Sequence, residues 1–206
     1  MPTTLSDLRR ALSLPLLGDQ AHAAMRPQGR IAHPAQDAPP PNLAGVLMLT
    51  YPSADTLNFV LIQRAERLYR HGGQVALPGG RREASDSTLV ATAVREAEEE
   101  LGISLDQAEI LGSLSPVYVQ PSHFMVYPAV AYLDKRPRFA PNPDEVAAVI
   151  EVPLDALHPA YHVEADIVTA QGVLLRAPAY AFGGCLVWGA TAMILHELEL
   201  LLRSSA

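Results

Sequence analysis

The sequence predicts an α+β domain in which a mixed β-sheet packs against helices. Short apolar runs typical of strands outnumber the helical segments, and only two long stretches place apolar residues at helical spacing. Strands and helices do not alternate regularly, which argues against repeated βαβ units. Apolar residues make up 49% of the 206 residues and charged residues 18%, a balance typical of a globular chain with one core.

Residues 1–42 are predicted to be an N-terminal segment that precedes the folded domain of residues 43–206. A short amphipathic helix, capped by Thr4 or Ser6, is expected near the start of this segment. Five prolines between Pro27 and Pro41 exclude a helix there and indicate an irregular or linker stretch.

Apolar runs with β character predict the strands of the domain. They lie at Ala44–Tyr51, Asn58–Ala65, Gln74–Leu77, Ile110–Val119, Val126–Leu133 and Val146–Val152, with a further hairpin between Val163 and Tyr180 around Gln171-Gly172. The first two runs are separated by a short turn and are expected to form a hairpin. The third is expected to end in a turn at Pro78-Gly79-Gly80.

Charge and cysteine content narrow the functional classes. The formal net charge of −7 and the lack of a visible basic stripe argue against a nucleic-acid binder. No apolar run approaches the roughly 18 residues that span a membrane. Cys185 is the single cysteine, so no intrachain disulfide forms, and we expect a protein of the reducing cytoplasm. A phosphorylated substrate would need arginines or bound cations as counter-charge.

Two long helices are predicted, Thr88–Leu101 and Trp188–Arg203. Asp86 or Ser87 is expected to cap the first, and Gly102 to end it. At about 100° per residue the first helix has an apolar stripe that should face the core. The stripe consists of Val90, Val94, Ala97 and Leu101.

Three carboxylates, Glu96, Glu99 and Glu100, crowd another side of the same helix. Carboxylates one turn apart repel, and these lie in the last turns, where the helix dipole disfavours anions. A divalent cation such as Mg²⁺ or Mn²⁺ would remove the repulsion, since both prefer oxygen ligands. A solvated acidic face is the alternative for an isolated run of this kind. The nearby Gly79-Gly80 pair favours the metal site, because glycine allows close approach of the backbone.

These residues resemble the box that defines the Nudix family, G-x5-E-x7-R-E-U-x-E-E-x-G-U with U apolar. The matching residues are Gly80, Arg95, Glu96, Ala97, Glu99, Glu100, Gly102 and Ile103. Asp86 stands where the box has its first glutamate, with eight residues instead of seven before Arg95, and Glu83 is a candidate to share that position. The resemblance implies an α/β/α layered fold, hydrolysis of a diphosphate bond, and Glu96, Glu99 and Glu100 as ligands of Mg²⁺ or Mn²⁺.

Further segments resemble the coenzyme A diphosphatase branch of that family. They are Val60–Ala65, Gly73, Leu77–Gly80, Asn142–Val146, Glu151–Leu154 and Val187–Ala192. The branch implies cleavage of coenzyme A or acyl-coenzyme A into 3′,5′-ADP and 4′-phosphopantetheine or its acyl derivative. Tyr69 replaces an arginine of the branch motif, and Ile62 and Leu77 also depart from it. Hydrolysis of ADP-ribose or a dinucleotide and a non-catalytic ligand sensor are the alternatives.

The resemblance also implies roles for individual residues around a water that attacks phosphorus. Glu99 and Glu145 are the candidates for the general base. Arg95 is expected to pair with a neighbouring glutamate and hold it in place. The substrate is expected to contact Arg64, Arg70, Gly79, Gly80 and Arg81. Trp188 and Phe182 are interpreted as core or dimer contacts, so the sequence allows a homodimer.

Overall fold

The computed structural model describes residues 2–54, 56–65, 73–169 and 172–205. Within these ranges, a mixed eight-stranded sheet has helices on both faces, and a three-stranded sheet adjoins it. The predicted α+β class, with a mixed sheet between helices, is therefore confirmed.

The large sheet is mixed because one of its strand pairs is parallel. Its strands are β1 (Asn42–Ser53), β2 (Thr56–Arg64), β3 (Val75–Ala76), β4 (Gly79–Arg81), β5 (Glu109–Ser113), β6 (Val117–Val119), β7 (Phe124–Tyr132) and β8 (Val146–Pro153). The order along the sheet is β3-β2-β1-β7-β5, while β4 also pairs with β1, β6 with β7, and β8 with β2. Strands β1 and β7 run parallel, and the other pairs are antiparallel.

The small sheet contains the predicted C-terminal hairpin. Its strands are β9 (His162–Val168), β10 (Leu174–Phe182) and β11 (Cys185–Trp188), all antiparallel. Gln171, at the predicted turn, lies outside the described residues.

The helices are α1 (Leu5–Leu12), α2 (Asp19–His22), α3 (Leu89–Leu101) and α4 (Gly189–Ser204). Single 3₁₀ turns lie at Ala23–Met25, Gln120–Ser122, Leu154–Ala156 and Pro159–Tyr161. Across the described ranges, none of the helices combines the length and apolar character needed to cross a bilayer.

The sheet separates two apolar clusters, because successive side chains of a strand point to opposite faces. In β1, Met48 packs into the cluster that holds α1 and α4. Leu47 and Leu49 pack into the cluster that holds α3. All three side chains are fully buried. The arrangement fixes α3 on one face of the sheet and α1 and α4 on the other.

The N-terminal segment contributes to the same core as the rest of the chain. Thr4 and Asp7 form the capping box of α1, which buries Leu8 and Ala11 against α4. Residues 27–41 contain no helix or strand, as the prolines predicted. The division at residue 42 stays a prediction about chain organisation, since the two sides pack together.

Two sequence-based expectations about strands are wrong. Pro78-Gly79-Gly80 is not a turn, because Gly79 and Gly80 belong to β4 and pair with Val46 and Gly45 of β1. Residues 110–119 do not form one strand but divide into β5 and β6, with β6 pairing further along β7. Local β propensity identified these segments but not their partners, which depend on the whole sheet.

Candidate active site

The carboxylate helix α3 begins and ends as its sequence dictates, although its cap differs from the expectation. Thr88 caps it and accepts a 3.0 Å hydrogen bond from the Ala91 N–H, a contact worth about 1 kcal/mol. Gly102 ends it at φ 61°, the left-handed conformation that favours glycine. The expected caps Asp86 and Ser87 were wrong, because Asp86 is used in the site itself.

The buried stripe of α3 contains two alanines, Ala93 and Ala97, which let the helix lie directly on β1. Ala93, Ala97 and Leu101 are fully buried, whereas Val90 and Val94 of the predicted stripe are half-buried at its border. A Cβ on Gly45 of β1 would stand 2.4 Å from the Leu89 carbonyl oxygen, so this contact needs glycine. The close contact brings the glutamates of α3 to the β1–β4 pair.

Gly79 and Gly80 form the other wall of the site. The Gly79 N–H donates a 2.8 Å hydrogen bond to Glu100 Oε2. A Cβ on Gly80 would stand 2.2 Å from Glu96 Oε2, so the Glu96 carboxylate lies directly against the backbone. Gly80 therefore makes room for the Glu96 carboxylate, and Gly79 donates its N–H to Glu100.

Glu100 is a buried carboxylate at the centre of the site, with 1% of its surface exposed. Its Oε1 accepts a 3.0 Å hydrogen bond from Arg64 Nη1, which reaches it from the end of β2. Burial, reinforced by the charges of Glu96 and Glu145, outweighs the Gly79 N–H and Arg64 and raises the pKa of Glu100 to about 7. An added positive charge at this position would favour the ionised form of Glu100.

Arg95 connects the remaining acidic side chains. Its Nη1 lies 3.0 Å from Glu96 Oε1 and 3.1 Å from Glu99 Oε2, and its Nε lies 3.0 Å from Asp86 Oδ1. Its Nη2 also donates to the Arg81 carbonyl oxygen. The expected pairing of Arg95 with a neighbouring glutamate is present, and it extends to three carboxylates.

Asp86 anchors this arginine and is itself tightly held. Its carboxylate accepts hydrogen bonds from Arg95, the Glu83 N–H at 2.8 Å and the Thr92 hydroxyl at 2.9 Å. Arg95, followed by the Glu83 N–H, holds the pKa of Asp86 well below its usual range. Asp86 therefore holds the Arg95 guanidinium in position. The Glu83 side chain, by contrast, is exposed. The role of Thr92 was missed, because a threonine inside a helix gives no sequence signal.

The charges of Glu99 and Glu145 act on Glu96, and the three side chains differ in exposure. The Glu99 side chain is 57% exposed, whereas Glu96 is 18% exposed. Burial, together with Glu99 and Glu145, raises the pKa of Glu96 against the opposing effect of Arg95. Glu145 precedes β8 and is half-buried, and its backbone carbonyl accepts the Ala65 N–H. The charge of Glu145 therefore acts on both Glu96 and Glu100.

The two remaining predicted substrate contacts are Arg81 and Arg70. The Arg81 side chain is exposed, and the chain contributes its carbonyl oxygen at that position. Arg70 lies outside the described residues. Arg64, Gly79 and Gly80 do lie together with the glutamates.

The donor atoms suit a hard divalent cation. Glu96, Glu99 and Glu100 offer only carboxylate oxygens, which Mg²⁺ and similar ions prefer. The Gly80 backbone leaves space beside Glu96 that a Cβ would fill. Glu100 is buried with a raised pKa, so it would be stabilised by an added positive charge. The residues present fit a divalent cation.

Comparison with known proteins decides the family. Residues 41–171, more than half of the chain, match the family described as NUDIX domain. The chain belongs to the Nudix family. It is therefore a hydrolase that acts on pyrophosphate bonds, and Nudix hydrolases generally use divalent metal ions.

Curated Nudix relatives agree with this assignment. A Pectobacterium atrosepticum protein described as "Uncharacterized Nudix hydrolase NudL" is 38% identical over 148 residues, which cover 70% of this chain and 75% of the relative. A Photorhabdus laumondii protein with the same description is 39% identical, covering 68% of this chain and 74% of the relative.

Solved Nudix structures agree with the fold. A MutT/nudix family protein from Enterococcus faecalis superposes with a TM-score of 0.50 at 17% identity, covering 98% of this chain and 73% of that chain. At that identity the likeness shows the fold alone.

Proposed function

We propose that this Nudix hydrolase cleaves coenzyme A or acyl-coenzyme A into 3′,5′-ADP and 4′-phosphopantetheine or its acyl derivative. The main support is a cavity of about 460 Å³ whose lining includes one residue from each of three segments that resemble the coenzyme A branch. Gln63 and Gly73 come from two neighbouring segments, and Trp188 comes from a distant part of the chain. Apolar side chains of Val75 and Leu186 also line the cavity. This mixture suits a pantetheine arm, which carries amides and methyl groups.

Phosphate binding is assigned to a divalent cation and to arginine. Glu96, Glu99 and Glu100 would hold Mg²⁺ or Mn²⁺, with the Gly80 backbone against Glu96. When bound, the cation supplies charge neutralisation of the diphosphate and a lowered pKa for the attacking water. Arg64 has one guanidinium nitrogen on Glu100 and, as far as the described residues show, retains further N–H groups for a phosphate oxygen. The substrate contacts expected for Arg70, Gly79, Gly80 and Arg81 stay proposals.

We assign removal of the water proton to Glu145, with Glu99 as the alternative. Glu145 is half-buried and acts electrostatically on Glu96 and Glu100, so it lies beside the proposed cation ligands. The Glu99 carboxylate is already paired with Arg95. A Glu145→Gln change should lower kcat about 100-fold or more with little effect on KM, because general base catalysis contributes about that factor. A larger loss of kcat in Glu99→Gln would assign the base to Glu99.

A substrate panel tests the proposal. Purified protein with Mg²⁺ or with Mn²⁺ is given coenzyme A, acetyl-coenzyme A, ADP-ribose and a dinucleoside polyphosphate, and the products are separated by chromatography. We expect kcat/KM to be highest for a coenzyme A substrate, with 3′,5′-ADP as product. Glu100→Gln is the control and should lose orders of magnitude in rate.

Two outcomes contradict the proposal in different ways. Preferred turnover of ADP-ribose would identify another Nudix substrate. Binding of coenzyme A by the metal-loaded protein without release of 3′,5′-ADP would identify a ligand sensor.

We also propose that the chain forms a homodimer through the β9–β10 hairpin. Val173 and Leu174 at its end are 59% and 66% exposed. Exposed apolar residues grouped in this way favour association. Light scattering at micromolar concentration tests this proposal, and a mass of 22.2 kDa, that of one chain, would contradict it.

A further inference from the structure

A second group of metal-ligand side chains lies on α4, which packs on the sheet face opposite to α3. His196 and Glu199 are three residues apart and so share one face of the helix. His162, the first residue of β9, approaches them from the small sheet. One ring nitrogen of each histidine and one oxygen of Glu199 all lie within 4.8 Å of one another.

Glu199 is a fully buried carboxylate with one oxygen unsatisfied. Its Oε2 accepts hydrogen bonds from the Tyr180 hydroxyl at 2.6 Å and from His162 Nε2 at 2.8 Å. Its Oε1 has no hydrogen-bond partner among the described residues, and the Arg203 guanidinium, 3.5 Å away, misses hydrogen-bond geometry. A buried carboxylate oxygen without a hydrogen bond is costly, and Arg203 offers its charge but no hydrogen bond, so this oxygen can still accept a metal ion.

His196 is oriented as a metal ligand usually is. Its Nδ1 lies 2.7 Å from the Ala21 carbonyl oxygen, which only accepts, so Nδ1 carries the ring proton. Nε2 then has a free lone pair and no hydrogen-bond partner in the described part of the chain. A histidine whose second nitrogen donates to a backbone carbonyl is the arrangement found in most metal sites.

We propose that His162, His196 and Glu199 form a Zn²⁺ site. Two imidazoles and one carboxylate are a common zinc ligand set, with water in the fourth position, and one of the three ligands, His162, is half-buried. The ion would replace the proton shared by His162 Nε2 and Glu199, and the ring proton would move to Nδ1. Zinc ligands stand roughly 3.3 Å apart in a tetrahedron, so small side-chain rotations close the cluster.

The proposed ion would tie the small sheet to α4. The Tyr180 hydroxyl would keep its hydrogen bond to Glu199 and so support the carboxylate from outside the ligand set. Because the carboxylate cluster on α3 has only oxygen donors, Mg²⁺ should prefer that cluster and Zn²⁺ the histidine cluster. The two sites can therefore be separated by ion type.

Zinc retention tests the site. Protein without a histidine tag is stripped with EDTA, given one equivalent of Zn²⁺ in excess Mg²⁺, passed through gel filtration and analysed for metal. We expect the wild type to retain one zinc per chain. His162→Gln preserves an amide donor for Glu199 but removes the imidazole, and it should bind zinc at least 100-fold more weakly.

Two variants are the controls. His158→Asn removes an exposed histidine four residues before His162, and asparagine can maintain its backbone cap of Ala160. It should retain zinc. Glu96→Gln with Glu100→Gln disables the carboxylate cluster and should also retain zinc.

The visible absorption spectrum of Co²⁺ bound to the wild-type protein tests the site without relying on the folding of any variant. Four-coordinate Co²⁺ with nitrogen ligands absorbs visible light much more strongly than Co²⁺ in an octahedral oxygen site. We expect the strong spectrum and its displacement by Zn²⁺. Loss of all zinc from the wild type, zinc retention by His162→Gln, or zinc loss in the carboxylate variant would overturn the proposal.

Discussion

Gly80 and Glu96 lie so close together that only a hydrogen atom fits at the Cβ position of residue 80. A Cβ there would stand 2.2 Å from Glu96 Oε2. The contact involves the end of a side chain and not the backbone, so the carboxylate can turn away without unfolding the helix. At the residue scale, the site therefore depends on glycine at position 80 as much as on the glutamates.

Gly80→Ala should weaken divalent cation binding at least tenfold, because the displaced Glu96 carboxylate loses its position. The free energy of unfolding should change by less than about 1 kcal/mol, since the backbone of Gly80 tolerates alanine. Calorimetric titration with Mn²⁺ measures the first effect and urea unfolding the second. Gly112→Ala is the matched control, because the nearest atom to its new Cβ is 3.7 Å away. Equal Mn²⁺ affinity in the two variants would contradict this account.

Glu100 should make the metal-free protein pH-sensitive. Burial raises its pKa to about 7, so the folded protein favours the protonated form and loses this stabilisation as pH rises through about 7. In EDTA, the free energy of unfolding of Glu100→Gln, relative to that of the wild type, should therefore rise by about 3 kcal/mol between pH 4.5 and pH 8. Urea unfolding across this range measures the difference, and added Mn²⁺ should reverse it. A constant difference between the two proteins would show that Glu100 does not titrate there.

The contact between α3 and β1 is decisive at the scale of elements. The Leu89 carbonyl oxygen packs against Gly45, where a Cβ would stand 2.4 Å from it. Gly102 ends the helix, and a Cβ there would stand 1.9 Å from the Ala140 carbonyl oxygen. Both glycines meet backbone atoms, which cannot rotate away. The N-terminal part of the helix is thus held against β1, and its C-terminal end against the loop that contains Ala140.

Gly45→Ala should destabilise the protein by about 1–3 kcal/mol, because α3 must move away from β1. The same movement should weaken Mn²⁺ binding, since the glutamates move with the helix. Urea unfolding of Gly45→Ala and Gly112→Ala provides the comparison, because both residues lie in strands of the large sheet. If the two variants have the same stability, the close packing of α3 on β1 is not what holds the helix.

At the scale of the whole molecule, Glu197 joins the N-terminal segment to the domain. Its buried carboxylate accepts hydrogen bonds from the N–H groups of Leu17, Gly18 and Ser115 and from the Ser115 hydroxyl. Burial raises the pKa of Glu197, but the His22 ring and the donors on Ser115 and Gly18 prevail and lower it to about 2. Glu197 therefore contributes stability at neutral pH that is lost as pH falls from about 4.5 towards 2.

Glu197→Gln should cost about 3 kcal/mol or more at pH 7, because an amide nitrogen would face N–H donors in a buried place. Amide hydrogen exchange should accelerate most in residues 2–25, which lose their attachment to α4. Glu164→Gln is the control, since its carboxylate is 53% exposed. Uniform acceleration throughout the chain would mean that the segment is not separately anchored.

The sequence by itself predicted the Nudix family and most of the helices and strands. Helical spacing placed Glu96, Glu99 and Glu100 away from the core stripe, and strand patterns located the β1–β2 hairpin, because both signals are local. The N-cap of α3 was harder to predict, since Thr88, Ser87 and Asp86 all offer side-chain acceptors. The tertiary structure then assigned Thr88 to the cap and Asp86 to Arg95.

Only the tertiary structure decided which groups meet. Arg64 reaches Glu100 from a strand 36 residues away, and Gly79-Gly80 turned out to be a strand because β1 was available as a partner. His162 likewise joins His196 and Glu199 from another sheet. Such contacts join residues far apart in the chain, and no short-range periodicity encodes them. Burial, which raises the pKa of Glu100, also depends on these contacts, so the electrostatics of the site emerge only when the sheet and helices pack.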